Sequence, residues 1–236
     1  IGRREINWDG VPDSFSSGGT DPFPGNFFNL ATGNPAGRIR GAQFATMGAF
    51  EVSADSDSNN DGIPGPVPTL FGNHTADNPF DFAAFSAERI FGLVGTNQMD
   101  VTFDIPGQPG TAGLVRGFGV VFTDVELTRS TVLDFFDQNG ILMHTEHALP
   151  FSAGEGGDTG KSFSFVGVSF DDAVVGRVHI TSGGLDLDLA PFGADDNVAM
   201  DDFIYGEPLL VPEPTFTGFG ILGLAALSLM RRRRIG

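Results

Sequence analysis

Oxygen-bearing side chains at every second position, Asp57, Asn59 and Asp61, followed at once by Gly62, match the opening half of a loop that wraps a hard divalent cation. Asp55 extends the acidic run, and the glycine permits the sharp turn such a loop needs. The closing half departs from the pattern. With Asp57 as position one, Gly65 and Pro68 stand at positions nine and twelve, so the bidentate carboxylate is missing. Two readings stay open, a Ca²⁺ site and a solvated acidic loop. Asp201 and Asp202 form a second candidate, because adjacent strand residues face opposite ways and one carboxylate must point inward or lie at a sheet edge. Either a Ca²⁺ shared with the segment around Asp9 or a hydrogen-bonded sandwich corner satisfies it.

Other constellations carry less chemistry. His144, Glu146 and His147 lie on a predicted strand, where His144 and Glu146 share a face and His147 points away, so the three do not converge on a metal. Glu155 to Ser162 ends in Gly160-Lys161-Ser162, but the first glycine of a phosphate loop is replaced by Glu155 and a strand follows where a helix is needed. Trp8 and Tyr205 are the single Trp and single Tyr, hence the candidate platforms for stacking a sugar ring; an exposed Phe cluster is the alternative. Paired acids for glycoside cleavage need a set separation and contrasting environments, which a chain rich in Asp does not single out.

The elements that would hold these groups are strands. Met99, Val101, Phe103 and Ile105 alternate with Asp100, Thr102 and Asp104, the pattern of a half-buried strand. Gly117 to Val125 is more continuously apolar and central. Thr131 to Phe136 and Ile141 to Leu149 read as a hairpin, with positive φ supplied by Asn139-Gly140. Ser162 to Phe170, Val174 to Thr181 and Val198 to Tyr205 continue the series, and Ile6 to Phe50 adds strands to the same unit. The expected fold is all-β, an antiparallel jelly-roll-like β-sandwich over residues 1–206. Phe supplies 24 of the aromatic residues, and lacking a polar tip it suits the dry layer between two sheets.

The chain has 236 residues, enough for a sizeable core, and no cysteine, so neither disulfides nor thiolate chemistry is available. It carries 30 acidic and 13 basic residues, four of the latter being Arg231, Arg232, Arg233 and Arg234. An acidic surface of this kind disfavours nucleic acid as a partner. The C-terminal segment is organised differently. Residues 207–215 are a linker containing Val211-Pro212-Glu213-Pro214, whose prolines keep the chain extended. Residues 216–230 are uncharged and span about 22 Å as a helix, a short transmembrane segment beside a hydrocarbon core of roughly 30 Å. Residues 231–236 hold the four arginines, which the positive-inside bias keeps cytoplasmic, leaving the sandwich outside. Export of this kind presupposes a secretory signal upstream of Ile1.

A prolyl motif, an apolar helix and a basic cluster in this order strongly resemble the PEP-CTERM sorting signal of Gram-negative bacteria that make exopolysaccharide. The resemblance covers residues 211 to 234 and implies processing by the membrane peptidase exosortase near Pro212-Glu213-Pro214, after passage through the secretion machinery. It implies export to the cell envelope or extracellular matrix of a biofilm, with the protein first held in the inner membrane; because no Ser, His and Asp set or isolated acid pair stands out among the residues, the expected protein is non-catalytic. The segments Gly117–Phe122, Phe135–Gly140, Phe165–Phe170 and Val198–Gly206 are similar to those of uncharacterised PEP-CTERM surface proteins, which resemble lectin-like or carbohydrate-binding jelly rolls in turn. That adds a carbohydrate-binding module for exopolysaccharide as the alternative, with a glycoside hydrolase behind it. Asp55 to Gly62 also resembles a thrombospondin type 3 calcium repeat.

Overall fold

The computed structural model describes residues 2–17, 21–32, 36–54, 70–72, 74, 78–86, 88–150, 161–189 and 196–211. In chain order the strands are β1 (Arg3–Ile6), β2 (Ala42–Ala45), β3 (Ala49–Val52), β4 (Phe91–Val94), β5 (Gln98–Ile105), β6 (Gln108–Leu114) and β7 (Gly117–Thr123). There follow β8 (Val132–Phe136), β9 (Leu142–His147), β10 (Phe163–Ser169), β11 (Arg177–Thr181), β12 (Ala199–Gly206) and β13 (Leu209–Leu210). A one-turn helix, α1 (Asn78–Asp81), precedes β4.

Two antiparallel sheets form the expected β-sandwich. The first runs β10-β7-β12-β4-β3, with β1 paired to β12 on the same side as β4. The second runs β13-β6-β5-β11-β8-β9, with β2 paired to β5. Alternation decides which side chains enter the space between the sheets. On β5, Met99, Val101 and Phe103 are buried while Gln98 and Thr102 face solvent. They meet Phe118, Val120 and Phe122 of β7 together with Phe91 of β4 in one continuous core.

The Asp137 hairpin forms as the sequence predicts, with a refinement. Gly140 alone takes a positive φ, at 78°. The Asp137 carboxylate accepts the backbone N–H groups of Asn139 and Ile141, each at 2.8 Å, and these bonds hold its pKa below the ordinary carboxylate value.

Strand β12 breaks its own alternation. Met200 pairs with Phe122 and Phe203 with Val120, so three steps on β12 oppose two on β7. The extra residue is a β-bulge at Asp201-Asp202, and it resets the phase so that Met200, Phe203 and Tyr205 all face the core.

The boundary expected at residue 206 moves outward. Leu209 and Leu210 pair with Leu114 and Gly113, Glu207 N–H donates to the Gly2 carbonyl at 3.0 Å, and Arg4 grips the Glu207 carboxylate through two 2.8 Å bonds. Residues 207–210 therefore belong to the folded unit. Among the described residues no helix is long and apolar enough to cross a membrane; the expected span 216–230 lies outside them, as does the basic tail 231–236.

Candidate functional site

Asp201 and Asp202 are buried at the bulge, and they satisfy themselves on the loop between α1 and β4. Asp201 Oδ2 accepts the N–H groups of Phe85 at 2.6 Å and Ser86 at 3.3 Å. The Ser86 hydroxyl lies 3.2 Å from Asp201 Oδ1 and 2.8 Å from Asp202 Oδ1. Asp9 completes the staple, accepting Glu88 N–H at 2.9 Å and Arg89 N–H at 3.1 Å. These are the hydrogen bonds expected of a sandwich corner. Among the described residues no cluster of three His, Asp or Glu is placed to hold a metal ion.

Burial first, and then the charge of Asp202, push the Asp201 carboxyl up to about 7 against the pull of the Phe85 and Ser86 N–H donors. With Asp201 protonated, its own O–H can donate to Ser86 Oγ, which donates onward to Asp202. One proton thus relieves the repulsion between two adjacent buried acids.

A second titrating group ties distant segments together. His74 Nε2 meets Glu51 Oε2 at 2.6 Å and His74 Nδ1 meets Asp188 Oδ1 at 2.6 Å. The Glu51 bond, chiefly, raises the imidazole to about 9 against the cost of burial, so both nitrogens donate at neutral pH.

Trp8 and Tyr205 are corrected by the structure. Trp8 is 0% exposed, stacks on Phe91 with centroids 4.1 Å apart, and donates its Nε1–H to the Asp201 carbonyl at 2.9 Å. Tyr205 is 2% exposed, with its hydroxyl on the Arg40 carbonyl at 3.2 Å. Neither offers a ring face to a ligand. His144 and Glu146 pair at 3.2 Å on the exposed side of β9. Val211 is half-buried at the end of the described chain. The predicted cation ligands Asp55, Asp57, Asn59 and Asp61 lie outside the described residues. So does the remainder of the sorting motif, Pro212, Glu213 and Pro214 with Arg231, Arg232, Arg233 and Arg234.

The open surface lies on the solvent side of the first sheet. Here a trough of about 490 Å³ crosses β10, β7, β12 and β1, within the roughly 300–1,000 Å³ common for small-ligand sites. Its floor is glycine. Gly119 and Gly167 stand directly opposite each other in the ladder, and a Cβ on Gly167 would come within 2.9 Å of the Gly119 Cα. No larger residue fits either position without displacing its neighbour. Phe165, on the same face, reaches over this floor, since a Cβ at Gly119 would meet its Cζ at 2.8 Å, yet 61% of the residue stays exposed. Phe163 adjoins it on β10 and touches Phe85 with centroids 5.5 Å apart, Phe85 being 58% exposed. The exposed aromatic platform is therefore built of Phe. Arg3, Arg116 and Ser169 supply polar groups at one end of the trough.

Period-two reading already places Phe163, Phe165, Gly167 and Ser169 on one face of β10. What it lacks is the pairing of Gly167 with Gly119, a register between strands far apart in sequence.

No known family and no curated protein matches this chain. Among solved structures it is similar to the bacteriophage CBA120 tailspike protein 4 enzymatically active domain, at 16% identity and a TM-score of 0.31. That alignment covers 79% of this chain and 20% of the tailspike chain, so this chain spans about a fifth of its length. At so low a TM-score the likeness carries no argument about fold or function.

Proposed function

We propose that this protein is a non-catalytic component of the bacterial surface or extracellular matrix, exported and then sorted by its C-terminal PEP-CTERM-like signal. One observation carries the reading beyond the signal itself: the last ladder pair among the described residues is Leu210 with Gly113, two residues before Pro212. Cleavage near Pro212-Glu213-Pro214 would thus fall on the C-terminal side of the last described strand, β13. A non-catalytic role is favoured by how these carboxylates are used, since the buried Asp201 and Asp202 and the half-buried Asp9 accept hydrogen bonds from the backbone of Phe85, Ser86, Glu88 and Arg89 and the Ser86 hydroxyl.

The sorting reading has a direct test in cells that make exosortase. Replacing Arg231, Arg232, Arg233 and Arg234 with neutral residues removes the charge bias that fixes orientation, and the precursor should lose its defined topology. In a peptidase-deficient strain the uncut precursor should accumulate in the membrane. Identical size, fractionation and protease protection in wild type, the arginine variant and the deficient strain would overturn the sorting reading.

A further inference from the structure

The glycine-floored trough calls for a particular kind of occupant. Its floor and the Phe165 ring are apolar, and they lie in the open on a protein whose formal net charge is −17. That charge repels a polyanion and equally repels a second copy of this chain. A cationic chain finds no net local charge to attract it at the trough's polar end, where each of two guanidiniums stands beside a carboxylate. Locally the charges cancel: Arg3 faces Glu5 at 3.6 Å and Arg116 faces Asp172 at 3.9 Å, both pairs loose and solvent-exposed, while Arg116 Nη2 also donates to the Asp171 carbonyl. Pairs this open contribute little to stability, and their donors and acceptors can exchange partners with a ligand at small cost. An apolar shelf beside a row of balanced donors and acceptors is complementary to a molecule that is itself uncharged, with a flat C–H face and a rim of hydroxyls.

We propose that this trough binds a neutral saccharide chain, with the Phe165 ring against a sugar face and Arg3, Arg116 and the Ser169 hydroxyl exchanging hydrogen bonds with sugar hydroxyls. The paired glycines have a purpose in this arrangement. Side chains at Gly119 and Gly167 would lift the ligand off the sheet and push the Phe165 ring aside. The inference deepens the matrix reading by giving the domain something to hold, and it rests on that reading only for the setting in which the ligand is met.

The test is calorimetric titration of the purified 236-residue chain, in a detergent without a sugar head-group. The probes are neutral gluco-, manno- and galacto-oligosaccharides of about six units, with oligogalacturonate of matched length as the anionic comparison. At least one neutral series should bind, and Phe165→Ala should weaken it about tenfold, the loss expected when one aromatic contact is removed. Arg116→Gln should weaken it less, and added salt should leave it nearly unchanged. Phe165 is exposed, so its variant should unfold at the wild-type temperature, which separates loss of the site from loss of the fold. Absence of binding to every neutral probe, preference for oligogalacturonate, or full binding by Phe165→Ala would each overturn the proposal. All three leave the sorting reading standing, because that is decided by fractionation of cells.

Discussion

Trp8→Ala should cost the sandwich about 3–5 kcal/mol, the range for removing a large buried aromatic side chain, against a total stability that for a domain is on the order of 5–15 kcal/mol. Trp8 lies at the centre of a ring cluster. It stacks on Phe91, meets Phe203 edge-on at 5.2 Å and Phe28 at 5.7 Å, and ties β12 to the N-terminal segment through the Asp201 carbonyl. Truncation leaves a cavity between the sheets and an unmet carbonyl at the bulge. Trp8→Phe keeps most of the packing and loses the N–H donor with part of the ring volume, so it should cost about 1–2 kcal/mol. Urea unfolding followed by far-UV circular dichroism measures both without depending on the lost fluorophore. A stacking platform at the surface would predict a change within about 0.5 kcal/mol for Trp8→Ala; a value that small would refute the placement of Trp8 in the core.

Stability should fall as pH rises from about 4 to about 9, the reverse of ordinary acid denaturation. Asp201 is protonated up to about 7 in the folded protein and only to about 3.8 when unfolded. Between those values the native state holds the extra proton, so unfolding becomes easier with rising pH. His74 acts over the next interval. Its stabilising charge is fully present below 6.5 in both states and is lost as pH climbs through about 9, where the folded imidazole finally deprotonates. The contribution is about 2–4 kcal/mol for the buried Asp201, and about 1–2 kcal/mol for His74 once solvent screening around Asp188 is allowed for. Asp201→Asn should flatten the curve between about 4 and 7, and His74→Gln should flatten it between 6.5 and about 9. Melting temperatures near the two ends and the middle of that range suffice, and a wild-type protein more stable at the alkaline end than at the acid end would contradict both assignments.

Much of the scaffold is legible in the chain because its signals are local. Met99, Val101 and Phe103 announce their strand by alternation, and Asp137 to Gly140 announce a turn by chemistry. Strand β12 is legible as a strand but its bulge is not used in that reading, although apolar residues at 200, 203 and 205 break a period of two at Asp201-Asp202. The other losses are non-local. Whether the single Trp lies inside or outside depends on what β12 and β4 place around it, and nothing near Trp8 in sequence says so. Phe165 has the composition of a core residue but falls on the outer phase of an edge strand. The His74 bridge joins Glu51 to Asp188, and no spacing rule connects residues that only tertiary structure brings together. Residue 206 reads as the end of the domain because β13 is two residues long and its partner, β6, lies nearly a hundred positions earlier.

That short final strand determines how the domain meets mechanical load. Tension entering through residue 211 reaches two leucines first, and their ladder with Leu114 and Gly113 opens one pair at a time. Next comes the clasp of Arg4 and Gly2 on Glu207, and behind it β12, flanked by β7 on one side and β1 on the other. A force ramp should record a small early extension, reversible on slackening, before the main rupture; a single event would mean that β13 and β12 yield together. A domain hung from such a sequence of catches can lengthen under a tug without surrendering its core.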